Sequence, residues 1–219
     1  MKAALLLLLP LLLKVSAASS SGPAVPPSVR VTSSPLTKAA YLEARKLTVV
    51  TRPTLTFPVK KVRDRIVIPT AAGPKIFQDK GIGTDNDDQA KYEYAGYLPQ
   101  FGYHVVVGHF WEHTNWLLLG PGGAPLELYD APVYSPDLKH FVVSAAGIEF
   151  SVYPNEIRLF TFLNGRWREV WKLEPSVEPA TWEPQEVRWL SNSTLLLKKR
   201  MWTGKNPGAT YTYAKLTIQ

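Results

Sequence analysis

The stretch EIRLFTFLNGRWREVWKL, residues 156–173, decides how this chain folds. At its centre, Asn164-Gly165 tolerates the two successive positive backbone angles of a type I′ turn. The arms on either side, Glu156–Leu163 and Arg166–Leu173, are rich in aromatic and branched residues that favour strands. The pattern predicts a two-residue hairpin with Leu163 opposite Arg166. In that register Ile157, Leu159, Leu163 and Val170 gather on one face, and Phe160, Phe162, Trp167 and Trp171 on the other. Neither face is purely polar, so the ribbon needs cover on both sides. Sheets stacked face to face supply it; a one-sided sheet or a lipocalin-like barrel would show cleaner alternation.

Outward from this hairpin the same composition recurs. Leu47–Thr51, Leu55–Val62, Arg65–Ile68, Tyr92–Leu98, Tyr103–Trp111, Trp116–Leu119 and Leu126–Tyr129 are apolar, aromatic or branched runs bounded by Pro, Gly, Asn and Asp. The predicted fold class is therefore all-β, an antiparallel meander of stacked sheets, either partial propeller-like or a β-sandwich. One short N-terminal helix is expected, with Ser34 as N-cap, Pro35 at the first helical position and the helix formers Lys38–Arg45 behind them.

Val133-Tyr134-Ser135-Pro136-Asp137-Leu138-Lys139, followed by Phe141-Val142-Val143, resembles the aromatic-Ser-Pro-Asp signature of WD40-like, TolB-type β-propeller repeats. A degenerate copy, without the Pro and Asp, runs from Val187 to Ser193 and continues in Leu195-Leu196-Leu197. The resemblance spans roughly the last ninety residues. It implies strands that end in a Ser-Pro-Asp turn and double back, stacked as blades.

The first seventeen residues read as a secretory signal peptide: Lys2, an apolar run from Ala3 to Leu13, and a small-x-small cleavage site at Val15-Ser16-Ala17. The run is too short for a spanning helix, which needs about twenty residues. Three parts are expected: a signal over 1–17, a disordered Ser/Pro-rich tether over 18–33, and a single β-rich domain over 34–219. Secreted or periplasmic localisation follows, with no membrane insertion after cleavage. Losing Lys2 and Lys14 with the signal takes the formal charge from +7 to +5.

The densest basic clusters, Lys60-Lys61-Val62-Arg63-Asp64-Arg65 and Lys198-Lys199-Arg200, lie in strand-like segments and read as solvated strand faces. Basic residues are otherwise spread along the chain, so no nucleic-acid partner is expected. The chain has no cysteine, which excludes disulfide frameworks, thiol catalysis and thiolate metal sites.

Enzyme-like motifs are few, and each sits in the wrong context. His109-Phe110-Trp111-Glu112-His113 matches the H-x-x-E-H pattern that sets two zinc-binding imidazoles one helical turn apart. Here β-type runs flank it, and on a strand the two His would stand about 13 Å apart. Asp85-Asn86-Asp87-Asp88 offers oxygen ligands for calcium, but Ala90 and Gly96 occupy the positions where a calcium-binding loop has Gly and Glu. No G-x-S-x-G surrounds any serine, and Gly120-Pro121-Gly122-Gly123 is a turn rather than a phosphate loop. Of the seven Trp, Trp111 and Trp116 are expected at the surface beside the polar turn Glu112–Asn115.

No catalytic, cofactor-binding or metal-ligating residue is assigned, and no cofactor. The favoured function is a non-enzymatic exported binding or interaction protein whose partner is a protein, peptide or glycan. The alternatives are an exported hydrolase, metal-dependent or carboxylate-based, and a structural component of the cell envelope.

Overall fold

The computed structural model describes residues 29–84, 87–148, 152–175, 181–202 and 210–219. The expected signal, most of the expected tether, and Asp85 and Asn86 lie outside them. Strand β1 (Val31–Leu36) and helix α1 (Lys38–Lys46) come first, followed by a small hairpin of β2 (Arg65–Ile68) and β3 (Lys75–Gln78). Three four-stranded antiparallel sheets complete the fold. The first is the meander β4 (Ala90–Leu98), β5 (Tyr103–Phe110), β6 (Thr114–Leu119) and β7 (Pro125–Leu128). The second is β8 (Val133–Tyr134), β9 (His140–Ala145), β10 (Glu156–Leu163) and β11 (Arg166–Leu173). In the third, β12 (Thr181–Ser191), β13 (Thr194–Trp202) and β14 (Thr210–Ile218) are joined by β1, which pairs with β14.

The sheets stack face to face. Leu98, Val105 and Leu118 of the first interleave with Phe141, Phe160 and Trp167 of the second. The opposite face of the second sheet, with Val142, Ile157 and Leu159, packs on Trp189, Leu195 and Leu216 of the third. Ile66, Ile68 and Phe77 of the small hairpin cover Val106, Leu117 and Leu119 on the outer face of the first sheet. Helix α1 lies against the far face of the third, where Tyr41 meets Tyr213 with ring centroids 4.6 Å apart. The fold is thus all-β, with antiparallel sheets in layers and a single short helix among the described residues. No described helix is long and apolar enough to cross a membrane.

The hairpin at Asn164-Gly165 has the expected turn, with φ of 51° and 74°, and Leu163 faces Arg166. Cover on both sides of β10 is also found. One face assignment changes. A bulge between Leu159 and Phe160 pairs Leu159 with Trp171, so Trp171 joins Ile157 and Leu159 instead of Phe160 and Trp167. An extra residue in one strand moves every later side chain to the other face.

Three further expectations are corrected. Ser34 and Pro35 do not cap the helix; they lie in β1, opposite Lys215 and Ala214. Pro is tolerated there because β1 is an edge strand. The cap is Thr37, whose Oγ1 accepts from the Ala40 amide at 3.1 Å. Val31–Ser33, assigned by composition to the tether, also belong to β1. Finally, Leu47–Thr51 and Leu55–Val62 form no strands but make an extended strap that crosses from sheet to sheet. Val49 donates to the Trp189 carbonyl at 3.0 Å, Thr51 bridges Tyr134, and Thr56 and Tyr97 exchange hydrogen bonds of 2.9 and 2.7 Å. Those contacts fall on β12, β8 and β4, the open edge of each sheet in turn. Crossing the stack rather than following one sheet, the strap meets each edge at a point, and it shields edges that would otherwise invite pairing.

Candidate binding cleft

The strap descends past Tyr97 and turns back at Arg63-Asp64 to enter β2. Between this return, the small hairpin and the outer face of the first sheet lies an open cleft of about 1080 Å³. Its floor is a cross-strand pair. Tyr97 of β4 stands directly opposite His104 of β5, ring centroids 4.7 Å apart. Both point outward because a bulge between Tyr94 and Gly96 resets the alternation of β4. His104 is fixed from behind by the Tyr94 hydroxyl, 2.8 Å from Nδ1. Burial lowers the His104 pKa, and it pushes the Tyr94 phenol up to about 12 with help from Tyr97, so both are uncharged at neutral pH.

The walls are part apolar and part basic. Pro58, Val59, Val62, Val67 and Pro69 supply the apolar part; Lys60, Arg63, Arg65 and Gln78 supply the polar part. Among the described residues no acid lines the cleft. Lys60, Arg63 and Arg65 make no ion pair among the described residues, whereas Lys61 between them is committed elsewhere. It pairs with the Asp79 carboxylate and donates to the Tyr92 carbonyl at 2.8 Å, while Asp79 also accepts from the Tyr92 amide at 2.9 Å. This partly buried clasp fastens the strap to β4.

The turn that presents Arg63 is unusual. Val62 and Arg65 exchange backbone hydrogen bonds of 2.8 and 3.0 Å, and the two residues between them have φ of 49° and 59°. That is a two-residue turn with positive φ at both central positions, built without glycine or asparagine, and left-handed backbone costs an ordinary L-residue about 1 kcal/mol. The Asp64 carbonyl holds it in place, accepting from the Asp79 amide at 2.9 Å and from Gln78 Nε2 at 3.2 Å. An unfavourable backbone thus carries a cationic side chain to the edge of the cleft.

Only part of this site was singled out in the sequence. The Lys60–Arg65 cluster was noted, but as a solvated strand face; its outward cations in fact converge on one cavity. Lys198 and Lys199, the other cluster, lie over the rings of Tyr211 and Trp182 at 3.9 and 4.4 Å, and Arg200 pairs with Glu183. Tyr97 and His104 went unremarked, since a bulge and a cross-strand register bring them together.

The remaining motifs do not join the cleft. His109 is the last residue but one of β5, with Nδ1 3.2 Å from Thr114 Oγ1 and Nε2 3.6 Å from Glu93. Trp111 and Glu112 form the turn, and His113 stacks on Phe110. Among the described residues no three His, Asp or Glu side chains gather where a metal ion could bind. Asp87 and Asp88 lie in a turn, with Asp88 3.1 Å from Lys80 Nζ. Trp111 is exposed as expected, at 52%, but Trp116 packs against the core between the first and second sheets. Comparison with known proteins returned no matching family model, no matching curated protein and no matching solved structure.

Proposed function

We propose that the chain is an exported, non-enzymatic binding protein that takes its ligand, a protein, peptide or glycan segment, in the cleft over Tyr97 and His104. The observation that carries this reading is the set of three cations with no ion-pair partner among the described residues, Lys60, Arg63 and Arg65, around an aromatic floor. Such residues gain nothing by facing one another. Their convergence makes sense when a ligand completes the charge balance. The floor sits on paired strands and is pre-organised, which limits the ordering cost of binding.

Export is read from the first seventeen residues, and it argues against nucleic acid as a partner despite the basic rim. The blade-like reading of the sheets rests on the Ser135-Pro136-Asp137 turn. There Ser135 Oγ donates to Asp137 at 2.7 Å and accepts from the His140 amide at 3.0 Å, closing β8 onto β9.

The absence of cysteine gives a clean test. Val67→Cys places a single thiol in the cleft, and Arg168→Cys places one on the exposed surface of β11. Maleimide labelling of each variant is followed with peptide and polysaccharide fractions from the source organism's surroundings. Slower labelling at position 67 with unchanged labelling at 168 supports the cleft as the seat. Unchanged labelling at 67 with every fraction overturns it.

A further inference from the structure

We infer that the ligand of this cleft is an anionic polysaccharide, a chain of sugar rings bearing carboxylate or sulfate groups; the inference rests on the cleft being the binding seat. Four observations converge. The rim presents two guanidinium groups, Arg63 and Arg65, with the ammonium of Lys60, and among the described residues no lining acid opposes them. A guanidinium binds carboxylate or sulfate oxygens through two parallel hydrogen bonds, so these groups select planar or tetrahedral anions. Lys61, one residue from Lys60, is turned inward onto Asp79, which leaves the outward charge on one side of the chain.

The floor has the right character for a sugar ring. Tyr97 and His104 are half-buried, and they offer adjoining aromatic surfaces over which the apolar C–H face of a pyranose can lie. Gln78 adds an amide oxygen that can accept from hydroxyls, its Nε2 being engaged by the carbonyls of Asp64 and Asp79.

Size and shape favour a polymer. About 1080 Å³ is at the upper limit for small-molecule sites, and the cleft is open rather than enclosed. An acidic peptide fits less well. Strand addition needs a row of exposed backbone donors, whereas here Pro58 and Pro69 carry none and the start of β2 is already bridged to Val62.

The strain at Arg63 completes the argument. A turn of this geometry is most stable with Asn-Gly, yet an arginine occupies its first left-handed position at φ 49°. Its side chain is therefore retained for what it does at the rim rather than for the stability of the turn.

The test is titration of the full chain with heparin, polygalacturonate, dextran, poly-L-glutamate and oligothymidylate, repeated with Arg63→Ala/Arg65→Ala. Circular dichroism and the thermal midpoint confirm that the variant is folded, and Arg168→Ala serves as the exposed-charge control. The expected result is binding of heparin or polygalacturonate and weaker or no binding of dextran. That binding falls about ten-fold or more in the double alanine variant, is partly restored in Arg63→Lys/Arg65→Lys, and weakens as salt rises. Dextran that binds as tightly, or polyanion binding indifferent to the double alanine variant, overturns the inference. Tighter binding of poly-L-glutamate or oligothymidylate than of either charged polysaccharide overturns it too, and so does no binding of either. The cysteine at position 67 separates this failure from failure of the cleft: protection by another ligand there keeps the seat and discards only the polysaccharide.

Discussion

Trp189 Nε1 donates a hydrogen bond of 2.7 Å to the carbonyl of Val133, joining the edge strand of the third sheet to that of the second. Trp189 is fully buried, and its own carbonyl accepts from Val49 of the strap. One side chain and its backbone therefore tie two sheets and the segment that crosses them. Trp189→Phe keeps most of the apolar bulk but leaves the Val133 carbonyl without this donor. The expected cost is about 1–2 kcal/mol. Urea unfolding should show it as a lower midpoint with an unchanged slope; an unchanged midpoint would mean that the indole contributes only volume.

Glu186 holds α1 to the third sheet. Its carboxylate accepts from the Tyr41 hydroxyl at 2.6 Å and from Arg45 Nε and Nη2 at 3.1 and 3.2 Å, and it also pairs with Arg188. Burial pushes the Glu186 pKa up, but hydrogen bonds from Arg45, Tyr41 and Arg188 outweigh it and hold the pKa at about 2. Because the folded value is depressed, this stabilisation is present above the unfolded pKa, near 4.5, and is lost as pH falls through about 2. Arg45 is solvent-exposed, so the effect is modest, about 1 kcal/mol. Protection factors of the amides of residues 38–46, which remove the intrinsic pH dependence of exchange, are expected to fall between pH 4.5 and 2 in the wild type. In Glu186→Gln they should already be low at pH 7 and change little with pH.

Local chemistry decides what could be read from sequence. Asn164-Gly165 was legible because both residues tolerate positive φ, so the turn type and the Leu163–Arg166 register followed from two residues. Arg63-Asp64 builds the same kind of turn with Arg, which disfavours positive φ, at its first position and with Asp where Gly is preferred, so little in the local sequence announces it. The bulge at Leu159/Phe160 has no sequence mark, and it alone moves Trp171 between cores. The strap has strand composition but single-point pairings, a distinction that exists only once three sheet edges lie side by side. The cleft fails to appear in the sequence for the same reason. Lys60–Arg65 is a visible cluster, yet the inward turn of Lys61 depends on Asp79, and the Tyr97–His104 floor depends on strand register.

Gly96 sets how closely the strap approaches the first sheet. Its φ is 131°, and a Cβ built there would lie 3.0 Å from Leu55 Cδ2, 3.2 Å from the Thr56 carbonyl oxygen and 3.3 Å from Phe57 Cε1. Two of those atoms sit on side chains that can move, but the carbonyl belongs to the Thr56–Tyr97 pairing and the backbone angle itself disfavours any side chain. Gly96→Ala is expected to cost about 2 kcal/mol or more. It should also displace the strap, read as faster amide exchange at Thr56 and Tyr97. Wild-type stability and exchange in this variant would show that the strap is not held by close approach.

The Arg63-Asp64 turn sets stability against binding, and the two can be separated by one double substitution. Asn-Gly suits positive φ at both positions, so Arg63→Asn/Asp64→Gly relieves the strain that the present residues carry at 49° and 59°. The backbone hydrogen bonds between Val62 and Arg65, and those received by the carbonyl of residue 64, do not depend on either side chain. The variant is therefore expected to gain about 1 kcal/mol in urea unfolding. It also loses one of the two guanidinium groups at the rim, so its affinity for a charged polysaccharide should fall several-fold while its fold becomes more stable. A neutral or destabilising result would place an unseen stabilising role on the Arg63 or Asp64 side chain and remove the argument that arginine stands in this turn for the sake of the ligand.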